Sequence, residues 1–312
     1  IPITSARLGF VADGVAEAIE KLQICINWFK KQPEAENWQH PQGLYYRKTG
    51  MELQGKVVAL FSGQGSQYLE MGRELVMNFP LLQQTYNQVD SLFGKAGLSS
   101  ISEKVFPAPV FDSAQRQAQT QALQQTEVSQ PAIGALSVGL YKLLQQAGFK
   151  PDIVAGHSFG ELTALWAAEV LCDEDYFYLV KARGQAMAKP EDAHGDTGAM
   201  LAVKGDVTKV KQILAHFPEL KLANCNSPQQ LVLAGATDKI TRIKQVLIDK
   251  GFSAISLPVS GAFHTPLISY AQKPFAQAVS EVTLNTPKIP VYTNTTAELY
   301  PQKPETKKKI YK

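Results

Sequence analysis

A serine placed between two glycines is the feature of this sequence that most directly suggests chemistry. The five residues GHSFG span positions 156–160 and follow a short apolar run at 153–155. A G-x-S-x-G pattern between a strand and a helix is the nucleophile elbow, a sharp turn that exposes the serine oxygen. The residues after it, GELTALWAAEVL, space their apolar side chains as a helix does. The sequence therefore predicts a nucleophile at Ser158, with a tight turn and an incidental serine as the alternative.

A nucleophilic serine needs a base that takes its proton, and histidine often has that role. Of the five histidines, His264 has the most suitable context, because it lies in the loop VSGAFHTP at a predicted domain junction, where clefts often form. His157, inside the elbow, is interpreted as a packing residue. The other histidines are interpreted as surface residues: His40, His194 and His216. No acidic residue between Ser158 and His264 has the strand-end context of a third triad member, so the sequence predicts a Ser-His dyad.

Acyl transfer also needs two backbone N–H groups that bind the oxyanion. Phe159, directly after the serine, supplies one, and the glycine-containing loop at 61–67 is the expected source of the second. A phosphate-binding role for this loop is the alternative, although Tyr68 stands where G-x-G-x-x-G needs a glycine. Arg183 lies among apolar helical neighbours, and its planar guanidinium suits a carboxylate. An ordinary structural ion pair is the alternative for Arg183.

The predicted elements place these residues in an α/β fold. Over residues 55–198, and again over 259–312, the pattern is that of a large α/β-hydrolase-like domain with a parallel sheet. Residues 199–258 read β-α-β-β-α-β, the order of an inserted ferredoxin-like subdomain. Residues 1–54 form a separate N-terminal region with an amphipathic helix. The apolar stripe of that helix contains Val15, Ile19, Leu22 and Ile26.

The composition excludes several classes of protein. With 45% hydrophobic and 19% charged residues, the 312-residue chain matches an ordinary globular protein with a large core. A formal net charge of +3 is too small to indicate nucleic-acid binding. Three scattered cysteines do not form a disulfide framework or a zinc site, so we expect a reducing, cytoplasmic location. No apolar run could span a membrane, and no signal peptide is recognisable. Because the chain begins with Ile1 rather than Met, we expect a piece of a longer protein.

Four motifs in this order, GQGSQ, GHSFGE, KARGQAM and GAFH, resemble those of malonyl-CoA:acyl-carrier-protein transacylases. They are also similar to the acyltransferase domains of polyketide and fatty acid synthases, and the details resemble bacterial polyunsaturated fatty acid synthases most closely. The resemblance covers about residues 56–298. It implies that residues 1–54 are a linker between a ketosynthase and the acyltransferase of a multidomain synthase.

The resemblance also implies a role for each site residue. Ser158 would be acylated, His264 would act as base and then acid, and Arg183 would bind the free malonyl carboxylate. The oxyanion hole would be formed by the backbone N–H groups of Phe159 and Gln64. Two further residues would contact substrate: Phe263 and Asn226. The implied reaction is ping-pong, from malonyl-CoA through an acyl-serine to the phosphopantetheine thiol of an acyl carrier protein, with no bound cofactor and no metal.

The GAFH motif bears on the choice of acyl group. Malonyl-selective members of the family typically carry HAFH and methylmalonyl-selective members YASH, so Phe263 would fill the space that an α-methyl branch needs. Gly261 departs from the malonyl pattern. A single methyl group is worth only about 1–3 kcal/mol in discrimination, so we expect an incomplete preference for malonyl.

A second departure concerns the orientation of His264. In the family a backbone carbonyl orients the catalytic histidine, downstream of the strand that matches IPVYTNTT. By position this acceptor falls at or beyond Lys312. The resemblance therefore predicts that His264 lacks its usual partner, or that the tail ETKKKIYK substitutes imperfectly.

Two other functions remain open on the sequence alone. A serine hydrolase or thioesterase acting on acyl-CoA would use the same Ser-His pair, although Arg183 and the missing third acid argue against it. A non-catalytic acyl-CoA-binding or docking module would need neither Ser158 nor His264.

Overall fold

The chain divides into two compact units, Ile1–Lys56 and Val57–Lys312. A computed structural model describes residues 6–49, 55–188, 195–259 and 261–301. The first unit is a three-stranded antiparallel sheet of order β1-β3-β2 with one helix. Its elements are β1 (Arg7–Gly9), α1 (Val15–Lys31), β2 (Asn37–His40) and β3 (Leu44–Arg47).

Helix α1 is present as predicted, but it buries a different face from the predicted stripe. Cys25 on this helix packs with Trp38 and Leu44 in the core of the first unit. Aromatic rings dominate that core, and they bury more apolar area per residue than aliphatic side chains do. The predicted stripe faces solvent, with 44% to 79% of each side chain exposed at Val15, Ile19, Leu22 and Ile26.

The second unit is built on a short parallel sheet that carries the elbow. Strand β4 (Val58–Phe61) pairs in parallel with β5 (Ile153–Gly156), and Val291 adds a parallel bridge to Val154 on the other side of β5. The helices of this unit that precede the inserted subdomain are α2 (Arg73–Asn78), α3 (Pro80–Lys95), α4 (Ile101–Val105), α5 (Ser113–Gln124), α6 (Thr126–Gln146), α7 (Gly160–Ala167) and α8 (Asp173–Met187). No helix in the described part of the chain is long and apolar enough to cross a membrane.

Strand β4 is half-exposed rather than fully buried. Ala59 and Phe61 are buried, whereas Val58 and Leu60 face solvent. Successive strand side chains point to opposite faces of a sheet, and helices of the described chain cover one face of β4. The continuous apolar run VVALF therefore does not distinguish a strand buried on one face from a strand buried on both.

One apolar core holds β5, α6, α7 and α8 together and thereby fixes the elements that carry the site. Phe159, Leu165 and Tyr176 are fully buried within it. The buried hydroxyl of Tyr176 lies 2.8 Å from Thr163 Oγ1, which satisfies both polar groups.

The inserted subdomain has the predicted ferredoxin-like topology. Its four-stranded antiparallel sheet has the order β7-β8-β6-β9. Its elements are β6 (Ala199–Lys204), α9 (Val207–Leu214), β7 (Lys221–Ser227), β8 (Gln230–Gly235), α10 (Thr237–Asp249) and β9 (Ser253–Ser256). The chain then returns to the large domain through a 3-10 helix (Pro266–Ala271) and α11 (Gln272–Glu281).

Candidate active site

Ser158 lies at the turn between β5 and α7, where the nucleophile elbow was predicted. Its backbone φ is +50°, a value that L-residues adopt only under strain. The flanking glycine Gly156 is required by space, because a Cβ there would lie 2.0 Å from the carbonyl carbon of Gly160. The local sequence thus forms the strained turn that holds the serine oxygen at the tip.

We expect the substitution Gly160→Ala to destabilise the protein by about 3 kcal/mol. A Cβ at this position would lie 2.2 Å from the backbone oxygen of Phe61, so β4 and the elbow could not approach as they do. Urea unfolding would measure the change in free energy. Gly94→Ala in α3 is the matched control, because no atom lies within 4 Å of its added Cβ, and we expect it to stabilise slightly. Equal effects of the two substitutions would contradict this account of the elbow.

The structure brings Ser158 and His264 together, as the sequence predicted. Ser158 Oγ lies 3.0 Å from His264 Nε2, across 106 residues of chain. The loop that carries His264 is fixed on both sides: the Ala262 N–H donates to Thr197 O at 2.8 Å, and Thr265 Oγ1 donates to Ala262 O at 2.6 Å. His264 itself has a positive φ of +62°. The pair has the geometry of a nucleophile and its general base.

The surroundings of His264 favour its neutral, basic form. Desolvation by the surrounding protein, then the charges of Arg183 and His157, lower the pKa of His264 from 6.5 to about 4. Because the residue keeps an exposed face, water offsets part of this effect. With Nε2 facing the serine hydroxyl, the neutral ring carries its proton on Nδ1. This Nδ1–H has no hydrogen-bond partner among the described residues. The predicted substitute, the tail ETKKKIYK, lies outside the described residues.

The lowered pKa predicts how enzyme acylation depends on pH. The ring must be neutral to accept a proton, so the rate constant falls only as the pH falls through the pKa of His264. We expect a flat profile near neutrality and an acid limb below the ordinary pKa of 6.5. Single-turnover CoA release from acetyl-CoA, followed from about pH 4.5 to about pH 8, would measure it. Removal of a positive charge by Arg183→Met should move the limb to higher pH; an acid limb at or above 6.5 in the wild type would contradict the assignment.

Two backbone N–H groups beside Ser158 have no hydrogen-bond partner within the described chain. They belong to Phe159, at the start of α7, and to Gln64, in the glycine-containing loop. That loop touches the elbow, because a Cβ on Gly63 would lie 2.3 Å from the backbone oxygen of His157. The side chain of Gln64 is held by Thr126 at 3.1 Å and Gln130 at 3.2 Å. These contacts leave both N–H groups available for an oxyanion.

Arg183 on α8 provides a positive charge without a paired carboxylate. Its guanidinium lies over the ring of Phe159, 5.9 Å from the centroid. Within the described chain no carboxylate lies within 4.0 Å of it. Burial, partly offset by the charge of Glu161, lowers the pKa of Arg183 to about 10, so it stays protonated at neutral pH. The surface of the residue is still partly accessible, so an anionic group could reach it.

The remaining predicted residues differ in how close they come to the elbow. Asn226, on β7, lies with its Oδ1 2.9 Å from Nε2 of His157, so the subdomain contacts the elbow directly. His157 is exposed, and its interpretation as a packing residue was wrong because its side chain points out of the turn. Phe263 is buried in an apolar cluster with Met187 and Met200. Among the described residues, no three metal-binding side chains come together.

The sequence analysis missed a polar group on the other side of the elbow. Asn294 follows the bridge at Val291 and contacts both Ser158 and Glu161. Tyr300, which is buried, donates to Glu161 Oε1 at 2.8 Å. A signal for Asn294 was present, because a polar residue at the carboxyl end of a strand in a parallel sheet lies near the other strand ends.

Comparison with known proteins gives this geometry its context. The family described as "Acyl transferase domain" matches residues 58–312. One subunit of the polyunsaturated fatty acid synthase from Thraustochytrium sp. is 32% identical over 310 residues, 97% of this chain and 11% of the relative. The malonyl CoA-acyl carrier protein transacylase of Bacillus subtilis is 31% identical over 261 residues, 82% of this chain and 77% of the relative. The chain thus spans a small part of the synthase and most of the transacylase.

Solved structures agree with the sequence relatives. The acyltransferase domain from the second module of the salinomycin polyketide synthase has a TM-score of 0.76 at 32% identity, over 95% of this chain and 64% of that one. A malonyl-transacylase solved in complex with its type II polyketide synthase acyl-carrier protein has a TM-score of 0.69 at 27% identity, over 82% of this chain and 80% of that one. With a matched family over more than half of its length and a Ser-His pair at the elbow, the chain belongs to the acyl transferase domain family.

Proposed function

We propose that this domain moves a malonyl group from malonyl-CoA to the phosphopantetheine thiol of an acyl carrier protein. The contact of 3.0 Å between Ser158 Oγ and His264 Nε2 carries the proposal. The malonyl group and the carrier protein are supported by the printed names of the B. subtilis relative and of the solved complex. Those names favour transfer over the hydrolase or thioesterase alternative.

In the first half of the reaction, Ser158 Oγ attacks the thioester carbonyl of malonyl-CoA while its proton passes to His264 Nε2. The carbonyl oxygen becomes an oxyanion, which the N–H groups of Phe159 and Gln64 stabilise. The intermediate collapses, the C–S bond breaks, and the CoA sulfur takes the proton back from His264. Malonyl-serine and free CoA are the products.

The second half reverses these steps with a new thiol. The phosphopantetheine thiol of the carrier protein loses its proton to His264 and attacks the malonyl-serine ester. The serine oxygen leaves and takes that proton, which restores the dyad. Because the first product departs before the acceptor binds, the kinetics are ping-pong.

Arg183 selects acyl groups that carry a second carboxylate. Its unpaired guanidinium offers two parallel N–H donors, a geometry that matches a carboxylate. Acetyl-CoA has no group for this partner and leaves the cation unpaired. Discrimination against plain acyl groups follows from that difference.

Phe263 and Asn226 are the further substrate contacts in this proposal. The buried ring of Phe263 lies directly before His264 in the chain, where it restricts space for an α-methyl branch. Discrimination against methylmalonyl is then about 1–3 kcal/mol, so it is incomplete. Asn226 acts beside the elbow through His157.

The domain works within a longer cytoplasmic synthase. The synthase relative from Thraustochytrium sp. matches 97% of this chain, whereas the B. subtilis transacylase matches 82%. The additional matched length supports the proposal that residues 1–54 link the acyltransferase to a neighbouring ketosynthase. Three free cysteines are compatible with a reducing compartment.

Steady-state kinetics with malonyl-CoA and a holo acyl carrier protein test this function. Initial rates of malonyl-carrier formation, measured while both substrates are varied, should give parallel double-reciprocal lines. Intersecting lines would contradict an acyl-enzyme intermediate. Release of CoA with an equal amount of free malonate, and no malonyl-carrier product, would indicate a hydrolase instead.

A further inference from the structure

The side chain of Asn294 bridges the two ends of the elbow. Its Oδ1 accepts a hydrogen bond from the Ser158 backbone N–H at 3.2 Å. Its Nδ2 donates to the backbone oxygen of Gly156 at 2.7 Å. One amide therefore spans the three residues that contain the strained φ of +50° at Ser158.

Asn294 is in turn held by Glu161, on the first turn of α7. Glu161 Oε2 accepts from Asn294 Nδ2 at 2.8 Å, and Oε1 accepts from the Asn294 backbone N–H at 3.0 Å. Tyr300 O–H donates to the same Oε1 at 2.8 Å. Burial, together with the Glu161 charge, raises the pKa of Tyr300 above its ordinary value of 10, so the hydroxyl stays a donor.

The turn that carries Asn294 is itself ordered by backbone hydrogen bonds. The N–H of Thr293 donates to Glu298 O at 2.8 Å, and the N–H of Tyr300 donates to Val291 O at 2.8 Å. Asn294 is exposed, whereas Thr293 and Tyr300 on either side are buried. The exposed amide thus projects from a fixed turn onto the elbow.

This arrangement has a consequence for the oxyanion hole. Three consecutive N–H groups lie at the start of α7, and an oxyanion could in principle bind any of them. Because Asn294 occupies the N–H of Ser158, the N–H of Phe159 remains available. The same contact fixes the backbone from which Ser158 Oγ projects towards His264.

We propose that Asn294, oriented by Glu161 and Tyr300, is a positioning residue that holds Ser158 in its reactive backbone conformation. The inference rests on the proposed role of Ser158 as the acylated nucleophile. Asn294 touches no reacting atom and acts through the peptide groups on both sides of His157.

Acylation by malonyl-CoA and labelling by a fluorophosphonate probe together test the proposal. The probe reports the reactivity of Ser158 without any need for CoA or a malonyl carboxylate. We expect Asn294→Ala to lower the acylation rate constant and the labelling rate by about 10- to 100-fold, because small misplacement of a nucleophile is costly. The concentration of malonyl-CoA for half-maximal acylation should change by less than about threefold, because substrate binding does not depend on the turn.

Thr295→Ala is the matched control. Thr295 is the next residue of the same exposed turn and makes no side-chain hydrogen bond to the described residues. We expect wild-type rates for it. Tyr300→Phe removes one hydroxyl only, and we expect a loss of about threefold in both rates.

A charge-swap pair separates positioning from simple stability. Asn294→Asp places a second carboxylate beside Glu161 and should lower labelling at least as much as Asn294→Ala. Adding Glu161→Gln restores a donor between the two side chains, so the double variant should recover at least about fivefold over Asn294→Asp. A thermal melt of each variant accompanies the rates.

The outcomes are distinct. If the wild type is neither labelled nor malonylated at Ser158, the proposed function fails. If the wild type reacts and Asn294→Ala reacts at the same rate, the positioning role is overturned while the proposed function stands. If labelling losses follow the melting temperatures and the double variant recovers nothing, Asn294 is structural only and the proposal is also overturned.

Discussion

Replacing Ser158 by alanine is expected to lower the rate of malonyl transfer by about 10⁵-fold or more. In the proposed mechanism the serine oxygen forms the only covalent link between the two half-reactions, so no partial route remains when it is removed. The oxyanion donors Phe159 and Gln64 belong to the backbone and survive the substitution. Substrate should therefore still bind, and the loss should appear in kcat rather than in KM. Stopped-flow release of CoA with a thiol reagent would measure it.

Ser91→Ala is the control for this prediction. Ser91 lies on α3, is exposed, and makes no side-chain hydrogen bond to the described residues. We expect wild-type kinetics from it. If Ser158→Ala retained more than about one per cent of the wild-type rate, an acyl-serine on the main route would be contradicted.

Replacing Arg183 by alanine should lower acylation by malonyl-CoA about 10²- to 10³-fold and change acylation by acetyl-CoA far less. The free malonyl carboxylate would lose its only partner in a desolvated site, a loss of about 3–5 kcal/mol. Single-turnover rates with both thioesters give the ratio directly. Arg183→Lys keeps the charge but loses the planar pair of donors, so we expect an intermediate result.

Arg242→Ala provides a matched control. Arg242, in the ferredoxin-like subdomain, also lies over a phenylalanine ring, with Phe217 at 5.8 Å. We expect its removal to leave the malonyl-to-acetyl ratio unchanged. Equal losses for malonyl and acetyl in Arg183→Ala would show instead that Arg183 only supports the fold of α8 against the Phe159 ring.

The features that sequence predicts well are those that local pattern determines. The elbow needs two glycines and a serine within five residues, and the backbone conflicts around Gly156 and Gly160 explain why no larger residue fits. The ferredoxin-like order follows from periodicity, and it was correct for each strand and helix of the subdomain. The approach of His264 to Ser158 could be predicted because its loop returns from the subdomain to the large domain.

The features that sequence did not predict depend on contacts between distant elements. Asn294 reaches Ser158 across 136 residues, and its effect depends on how a turn folds back after Val291. Likewise, helix α1 has two apolar faces, and composition does not tell which one the aromatic core will cover. Only the packed structure distinguishes these cases.

Intact-protein mass spectrometry after brief incubation with malonyl-CoA, without an acceptor thiol, tests the central claim most directly. Parallel samples would contain acetyl-CoA, methylmalonyl-CoA, or the Ser158→Ala variant. We predict a malonyl-sized mass increase that maps to Ser158, is absent from Ser158→Ala, is weak with acetyl-CoA and is reduced with methylmalonyl-CoA. Release of CoA with no mass increase, or an adduct that persists in Ser158→Ala, would contradict malonyl transfer through this serine.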